Sequence, residues 1–361
     1  MSIQDVTPDG VSVLERIPLT QKVGIYYKAG DVRVVERDTP RIGPDEALVK
    51  VSACTLCAGE AMDWYSTKPG GKVLGHEPVG TIVAVGHDAD KSWLGRRVFV
   101  HHHYGRLNSH DAHRGHYTID PFFHETRLDP GGMAQYFRIT AGHLLNDTHI
   151  IPDSIGDDVA TTIEPWACVL GGLKVSHIQP GDTVVVIGAG AMGLGFVHLA
   201  RFFGAGRVIA DDLNPWRLVK ARELGATHVV NPNDGDVAEQ ILAANDGEQA
   251  DVVVVTVPSA QAYGIARRLV RQGGTIHLNA PGRPGTDWTQ DAAETYFSEV
   301  TITSKYSADH NDTYQYLRLL KAGVIDPSPI ITHHYPLSRL PEAFDLLVQA
   351  DQSLKIVINP D

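Results

Sequence analysis

The spacing of apolar residues divides the chain into two textures. From Lys22 to Ile139 they fall in short, largely alternating runs at 23–27, 32–35, 47–51, 79–86, 97–100 and 133–139, broken by Gly, Pro and Asp. Period-two runs with regular turn signals predict short strands of a small antiparallel barrel or sandwich. After Gly181 the runs become continuous. Thr183-Val184-Val185-Val186-Ile187 has no polar alternation, as expected of a parallel strand buried on both faces. Helix-like stretches at 194–203, 215–224, 237–244 and 260–271 then alternate with strand-like stretches at 207–212, 228–230, 251–257 and 275–279. A sixth strand at 300–304 and a helix at 312–321 follow. Pro215 at a first turn and Gly225 just past an end are the expected helix punctuation. The alternation predicts a doubly wound parallel sheet, so the fold class is α/β.

The helix at 341–349 and strand at 355–358 return to the first texture. The expected division is therefore a β-rich domain of 1–160 and 331–361, with 1–20 as an extension, and a nucleotide-binding domain of 161–330. A length of 361 residues suits two domains. The net charge of −12 leaves no basic stripe for nucleic acid and no attraction to an anionic membrane. The N-terminal stretch is polar and acidic rather than secretory, and no apolar run approaches the ~20 residues of a membrane span. Three cysteines, Cys54, Cys57 and Cys168, make no disulfide framework, so a reduced, cytoplasmic setting is expected.

The turn Gly188-Ala189-Gly190-Ala191-Met192-Gly193 joins a predicted strand to a predicted helix. Its first glycine allows the tight turn, the second lets backbone approach a pyrophosphate, and the third lets helix and strand pack closely. Asp212, at the end of the next strand, can accept hydrogen bonds from the ribose hydroxyls of NAD and would repel a 2′-phosphate; Asp211 is a rival for that role. Arg217 could flank the adenosine. Val257 and Asn279, at strand ends, are expected to contact the ribose and nicotinamide.

Gly75-His76-Glu77, Cys57 and Glu164-Pro165 supply an imidazole, a thiolate and carboxylates. That donor set suits Zn²⁺ with a position open for substrate. Alternatives stay open: Cys57 could be a core residue, Cys54 or Cys168 could be a ligand, and Glu164 could be a plain hinge carboxylate.

Taken together, Cys57, Gly75-His76-Glu77, Glu164-Pro165 and the glycine turn resemble the zinc-dependent medium-chain dehydrogenase/reductase superfamily, nearest its polyol (sorbitol-type) and threonine dehydrogenase branches. The resemblance implies a GroES-like catalytic domain plus a Rossmann domain, and an NAD-dependent zinc oxidoreductase acting on a secondary alcohol or ketone of a polyol, cyclitol or sugar-like molecule. It also implies a homodimer or homotetramer. Cys57, His76 and Glu77 match zinc ligands, Glu164 matches a carboxylate acting at the metal or its water, and Glu60 matches the carboxylate that orients His76. His102 falls near a pocket-lining position, where an imidazole would suit a hydroxyl-rich substrate; Trp64 and Tyr65 could supply an aromatic wall.

Two departures stand out. The lobe that carries a four-cysteine structural zinc in many relatives, here 104–130, has no cysteine; it holds His110, His113, His116 and His124, read as a solvated loop in preference to a replacement metal site. The hydroxyl and histidine of the usual proton relay are replaced by Gly59 and Met62, so the proton is expected to leave through Glu77, Glu164 or a nearby histidine. Loss of the relay keeps two other readings in view: an epimerase or lyase with transient oxidation, and a non-catalytic nucleotide-binding regulator.

Overall fold

The computed structural model describes residues 10–361 and the backbone of Asp5–Val6. It divides into two compact units: Met1–Glu164 with Asp309–Val324 and Ile331–Asp361, and Pro165–Ala308 with Ile325–Ile330. The helix His310–Lys321, expected in the nucleotide-binding domain, thus groups with the first unit. Of the expected extension, Ser12–Val13 pairs with Pro78–Val85 on one side and Asp5–Val6 on the other, while residues 1–4 and 7–9 lie outside the described residues.

The first unit is built on a nine-stranded sheet and a three-stranded sheet. Ala47–Thr55 is the hub, pairing antiparallel with Pro78–Val85, Tyr136–Ile139 and Lys355–Asn359. The alternating runs bury one face: Val49, Ile82, Val98, Phe137 and Ile356 are fully buried in one core with Leu340 and Phe344. Each such side chain contributes roughly 1.5–3 kcal/mol by leaving water. The register sets Cys54 opposite both Pro78 and Ile358, and Thr55 opposite Val357. The ends of three strands remote in sequence therefore meet at one place.

The second unit carries a six-stranded parallel sheet in the order His228–Val230, Arg207–Asp211, Thr183–Ile187, Ala250–Val255, Val270–Leu278, Thr301–Ser304. Chain order reverses at Thr183–Ile187, the doubly wound pattern. Val184, Val185, Val186, Val253, Val254 and Val255 have no exposed surface, which is why these strands read as continuous apolar runs. Helix starts follow the local chemistry: Asn214 caps Pro215–Glu223 through the Trp216 N–H, and Ser259 caps Ala260–Leu269 through the Ala262 N–H. Among the described residues no helix is long and apolar enough to cross a membrane.

Candidate metal centre and dinucleotide turn

Cys57 follows the end of the hub strand and caps a short 3₁₀ turn, Ala58–Ala61, that carries Glu60. Glu60 is buried. Its Oε1 accepts the Gly75 N–H at 2.6 Å and faces His76 Nδ1 at 3.3 Å. That contact orients the ring and leaves Nε2 facing Glu77, whose Oε1 is 3.9 Å away. Gly75 has φ +91° and a Cβ there would sit 2.3 Å from the Met133 nitrogen, so only glycine lets the chain pass this point.

The Cys57 thiol, a His76 ring nitrogen and a Glu77 oxygen all lie within 4.8 Å of one another. The structure gathers Cys57 here and not Cys54 or Cys168. Cys54 is buried, and burial with the nearby Glu60 and Glu77 carboxylates pushes its thiol well up, away from the thiolate a metal needs. Burial would depress His76, yet the Cys57 thiol and Glu60 beside it raise it well above the ordinary histidine range. The pocket therefore favours a positive charge, and its thiol, imidazole and carboxylate fit a zinc ion in chemistry as well as in spacing.

Both Glu77 oxygens are engaged by protein groups. Lys355 Nζ donates to Oε1 at 2.5 Å and Oε2 at 2.6 Å, and the Thr55 hydroxyl donates to Oε2. Lys355 and Glu77 are both buried. Burial works against the Lys355 ammonium, but Glu77, Cys57 and Glu164 outweigh it and keep it charged. A carboxylate held this way is a poor carrier of the substrate proton, unlike the freer role that sequence leaves open for it. Sequence reasoning passed over Lys355, although a lysine opening the apolar strand Lys355–Asn359 was a visible oddity.

Glu164 stands in the first turn of the helix Ile163–Val175 and meets two histidines that follow the strand Arg97–Val100. Its Oε1 is 3.9 Å from His102 Nδ1 and 4.0 Å from His101 Nε2. Burial raises the Glu164 carboxyl; burial and the neighbours His103, His101 and His76 hold His102 well below the usual histidine range. The His102 ring lies 5.1 Å from that of His76. Behind His101 runs a buried polar chain absent from the sequence reading. Asp147 accepts the Thr313 hydroxyl at 2.7 Å and pairs with His149 at 3.1 Å. Trp64 and Tyr65 stack edge-on at 5.9 Å and are partly exposed, with Lys72 over the Tyr65 ring.

In the 104–130 lobe His110, His113, His116 and His124 are all exposed, and none belongs to a candidate metal group among the described residues. The lobe is held by other means: Tyr117 and Phe123 are buried, the Tyr117 hydroxyl accepts from the Gly105 N–H at 2.6 Å, and Arg106 pairs with Asp120 at 3.2 Å.

The second unit presents the glycine turn. Gly188 has φ +92°, and its N–H donates to Asp211 Oδ1 at 3.0 Å. A Cβ on Gly193 would sit 1.8 Å from the Gly188 carbonyl oxygen, so the third glycine is needed for helix–strand packing. A Cβ on Gly190 would meet nothing within 4 Å, leaving open space at the N-terminus of the helix Ala191–Phe202. That is the space a pyrophosphate requires, next to unpaired N–H groups that attract anions. Ala191 and Met192, partly exposed, form the first turn of this helix. Asp211 is buried, its carboxyl pushed up to about 7 by burial. Asp212 accepts the Ala189 N–H and the Asn214 N–H, each at 2.8 Å, with Arg217 3.8 Å away. Val257 is 40% exposed, and the Asn279 N–H bonds to the Val255 carbonyl at 3.0 Å, both at strand ends beside the turn.

Residues 43–153 match the alcohol dehydrogenase GroES-like domain family, and residues 191–322 the zinc-binding dehydrogenase family. An L-threonine 3-dehydrogenase of Coxiella burnetii (strain RSA 493 / Nine Mile phase I) is 30% identical over 338 residues, covering 89% of this chain and 94% of that protein. The chain belongs to the zinc-binding medium-chain dehydrogenase superfamily. A sorbitol dehydrogenase of Bacillus subtilis (strain 168) is 27% identical over 366 residues, 96% of this chain and 99% of the relative. The alcohol dehydrogenase TADH from Thermus sp. ATN1 superposes with a TM-score of 0.83 at 25% identity, covering 94% of this chain and all of that one. This dehydrogenase is thus an oxidoreductase of the zinc-dependent alcohol dehydrogenase type, acting on a small molecule with a nicotinamide dinucleotide. With three cysteines in the whole chain, a four-thiolate zinc site is excluded.

Proposed function

We propose that this dehydrogenase interconverts a secondary alcohol and its ketone on a polyol, cyclitol or sugar-like substrate, with NAD as the hydride acceptor. The observation that carries the reading is the convergence of the Cys57 thiol, His76 and Glu77 within 4.8 Å. These three residues would hold zinc, which when bound supplies Lewis acidity toward the substrate oxygen. Glu60 acts as a positioning residue by fixing the His76 ring. Lys355 and Thr55 hold Glu77 in one orientation, so its carboxylate serves as a fixed ligand rather than a proton carrier. The hydroxyl of the usual relay is absent at Gly59. The proton of the alcohol leaves through Glu164, whose buried carboxyl sits beside the His101 and His102 rings. The imidazole of His102, 18% exposed and next to His76, offers a polar contact for a further substrate hydroxyl. The bulk of that contact is worth roughly 1–3 kcal/mol of discrimination against a substrate lacking the hydroxyl.

Asp212 favours NAD over its 2′-phosphorylated form by charge, with Gly188, Gly190 and Gly193 shaping the pyrophosphate cradle. Arg217, close to Asp212, softens the preference without reversing it.

A panel of polyols, cyclitols and simple secondary alcohols, followed by NADH formation with zinc-replete enzyme, tests the reading. The expected result is the highest kcat/KM on a polyhydroxylated substrate with NAD. His102→Leu is expected to narrow the margin over a simple secondary alcohol about tenfold, the equivalent of ~1.4 kcal/mol. Preference for an unfunctionalised alcohol in the native enzyme would defeat the substrate class. Zinc-loaded protein inert with every alcohol and ketone would favour transient oxidation within an epimerase or lyase cycle instead.

A further inference from the structure

We propose that the polyhydroxylated substrate carries an anionic group, a carboxylate or a phosphate, and that Lys72 is the specificity-determining residue that binds it. The inference rests on the function proposed above and narrows its substrate class. Lys72 Nζ lies 4.8 Å from the centre of the Tyr65 ring. Among the described residues this ammonium meets no carboxylate and donates no hydrogen bond, whereas Lys22, Lys50, Lys220 and Lys355 each face an acid. An aromatic face holds an ammonium without using its N–H groups, so the donors stay available for an incoming anion.

The position is fixed by the fold. Lys72–Val73 pairs antiparallel with Ile25 and Tyr26 of the strand Thr20–Lys28. The Tyr26 hydroxyl donates to Asp63 Oδ1 at 3.0 Å, and the same oxygen accepts the Ala29 N–H at 3.2 Å and the Thr67 hydroxyl at 2.7 Å. Asp63 opens the short helix Asp63–Ser66 that carries Trp64 and Tyr65. Strand and aromatic pair are thereby tied together. Lys72 also stands four residues before His76, whose ring lies 5.1 Å from that of His102.

Charge places the ammonium near that pair of rings. Burial and the neighbours His103, His101 and His76 hold the His102 imidazole down, and Lys72 adds to them. Burial works against the Glu60 carboxylate, yet His76, the Gly75 N–H and Lys72 keep it below the usual carboxylate range. Lys72 is therefore within electrostatic reach of both the imidazole beside His76 and the carboxylate behind it. Lys72 is half-buried, Trp64 and Tyr65 are partly exposed and His102 is mostly covered, so the group runs from a solvent edge inward. In a chain of net charge −12, residues 61–74 hold two lysines, Lys68 and Lys72, and one acid, Asp63. A neutral polyol gains little from an ammonium set here. An anionic group gains a charge-assisted hydrogen bond, strengthened because the Tyr65 ring keeps water from one side of it.

Hexitols and pentitols, each with its aldonate and its terminal phosphate ester, are compared by NADH formation with zinc-replete enzyme, in the parent and in Lys72→Met and Lys72→Arg. In the parent an anionic member should exceed its neutral counterpart in kcat/KM by about tenfold or more, carried by KM. That margin should vanish in Lys72→Met, survive in Lys72→Arg and shrink with added salt. A larger margin for the aldonate identifies a sugar acid, and a larger one for the ester a sugar phosphate. Preference of the parent for the neutral polyols overturns the anionic group and leaves the polyol reading standing. A margin that Lys72→Met retains overturns the role of Lys72, as does a loss through kcat shared equally by neutral and anionic substrates. Turnover confined to simple alcohols overturns this inference together with the polyol reading.

Discussion

The two functional regions are assembled in opposite ways. The glycine turn is written along a short contiguous stretch, Gly188 to Asp212, whose backbone N–H groups bond to Asp211 and Asp212, and Thr256 adds one hydroxyl to the Gly188 carbonyl from farther along the chain. The metal cluster is drawn from the whole first unit, and its tightest ion pair joins residues 278 positions apart. The first can be read from order and spacing. The second depends on which strands pair and in what register. The regions also handle charge differently: the cluster packs buried acids against one buried ammonium, whereas the turn buries the single carboxyl of Asp211 against backbone N–H.

Removing Lys355 should break the comparison most severely. In metal-stripped protein Lys355→Met leaves Glu77 buried without its ammonium, and a loss of roughly 3–5 kcal/mol is expected in denaturant unfolding. Adding zinc should restore more stability to the variant than to the parent, because the ion takes over the charge on Glu77. Equal zinc stabilisation of both proteins would show that Glu77 does not meet the metal.

A smaller effect is expected from Asp211, and it has a sign. Its carboxyl titrates at about 7 in the folded protein against an ordinary 3.8, because burial disfavours the anion. Between those values the native state binds more protons than the unfolded chain, so stability falls as pH rises through that window. Asp211→Asn keeps an acceptor for the Gly188 N–H and should remove that fall, a difference on the order of a few kcal/mol at neutral pH. His143 and His277, each held down to about 4 by burial, tilt the profile the other way as pH drops. The observable is therefore the difference between variant and parent melting curves across pH. Parallel curves would place the Asp211 carboxylate in water.

The finest test separates shape from fold within the turn. Gly190 has φ −71°, an ordinary value, and an added Cβ has open space. Gly190→Ala should change stability by no more than ~0.5 kcal/mol. NAD affinity should drop about tenfold or more, ~1.4 kcal/mol, as the methyl occupies the place of the pyrophosphate. Unchanged affinity by calorimetry would mean that the cofactor approaches elsewhere.

Much of the fold was legible. The continuous valine runs marked the parallel strands, Pro215 marked the start of the helix Pro215–Glu223, and the stretch read as 260–271 begins where the helix Ala260–Leu269 begins. The helix Ile163–Val175 was not marked, because it is apolar on nearly all sides and carries Gly171-Gly172, so neither periodicity nor propensity announces it. The strand Ile331–Pro336 was hidden by His333-His334 and a closing proline. At the metal centre Cys57, His76, Glu77, Glu164 and Glu60 were visible as residue types at telling positions. Thr55, Lys355, His101 and Asp147 were not, since a lone threonine, lysine, histidine or aspartate carries no signal until its neighbours are known.

The sequence by itself determined the family, the order of elements, the absence of a four-cysteine zinc site and the form of the nucleotide turn. These follow from local backbone requirements and from residue types at short spacing. Only the tertiary structure decided that Glu77 is clasped by Lys355 and Thr55, and that His101 turns its Nε2 toward Glu164. The clasp on Glu77 hangs on the pairing of Ala47–Thr55 with Pro78–Val85 and Lys355–Asn359, a register fixed by the burial of one face of a sheet rather than by any stretch of chain alone.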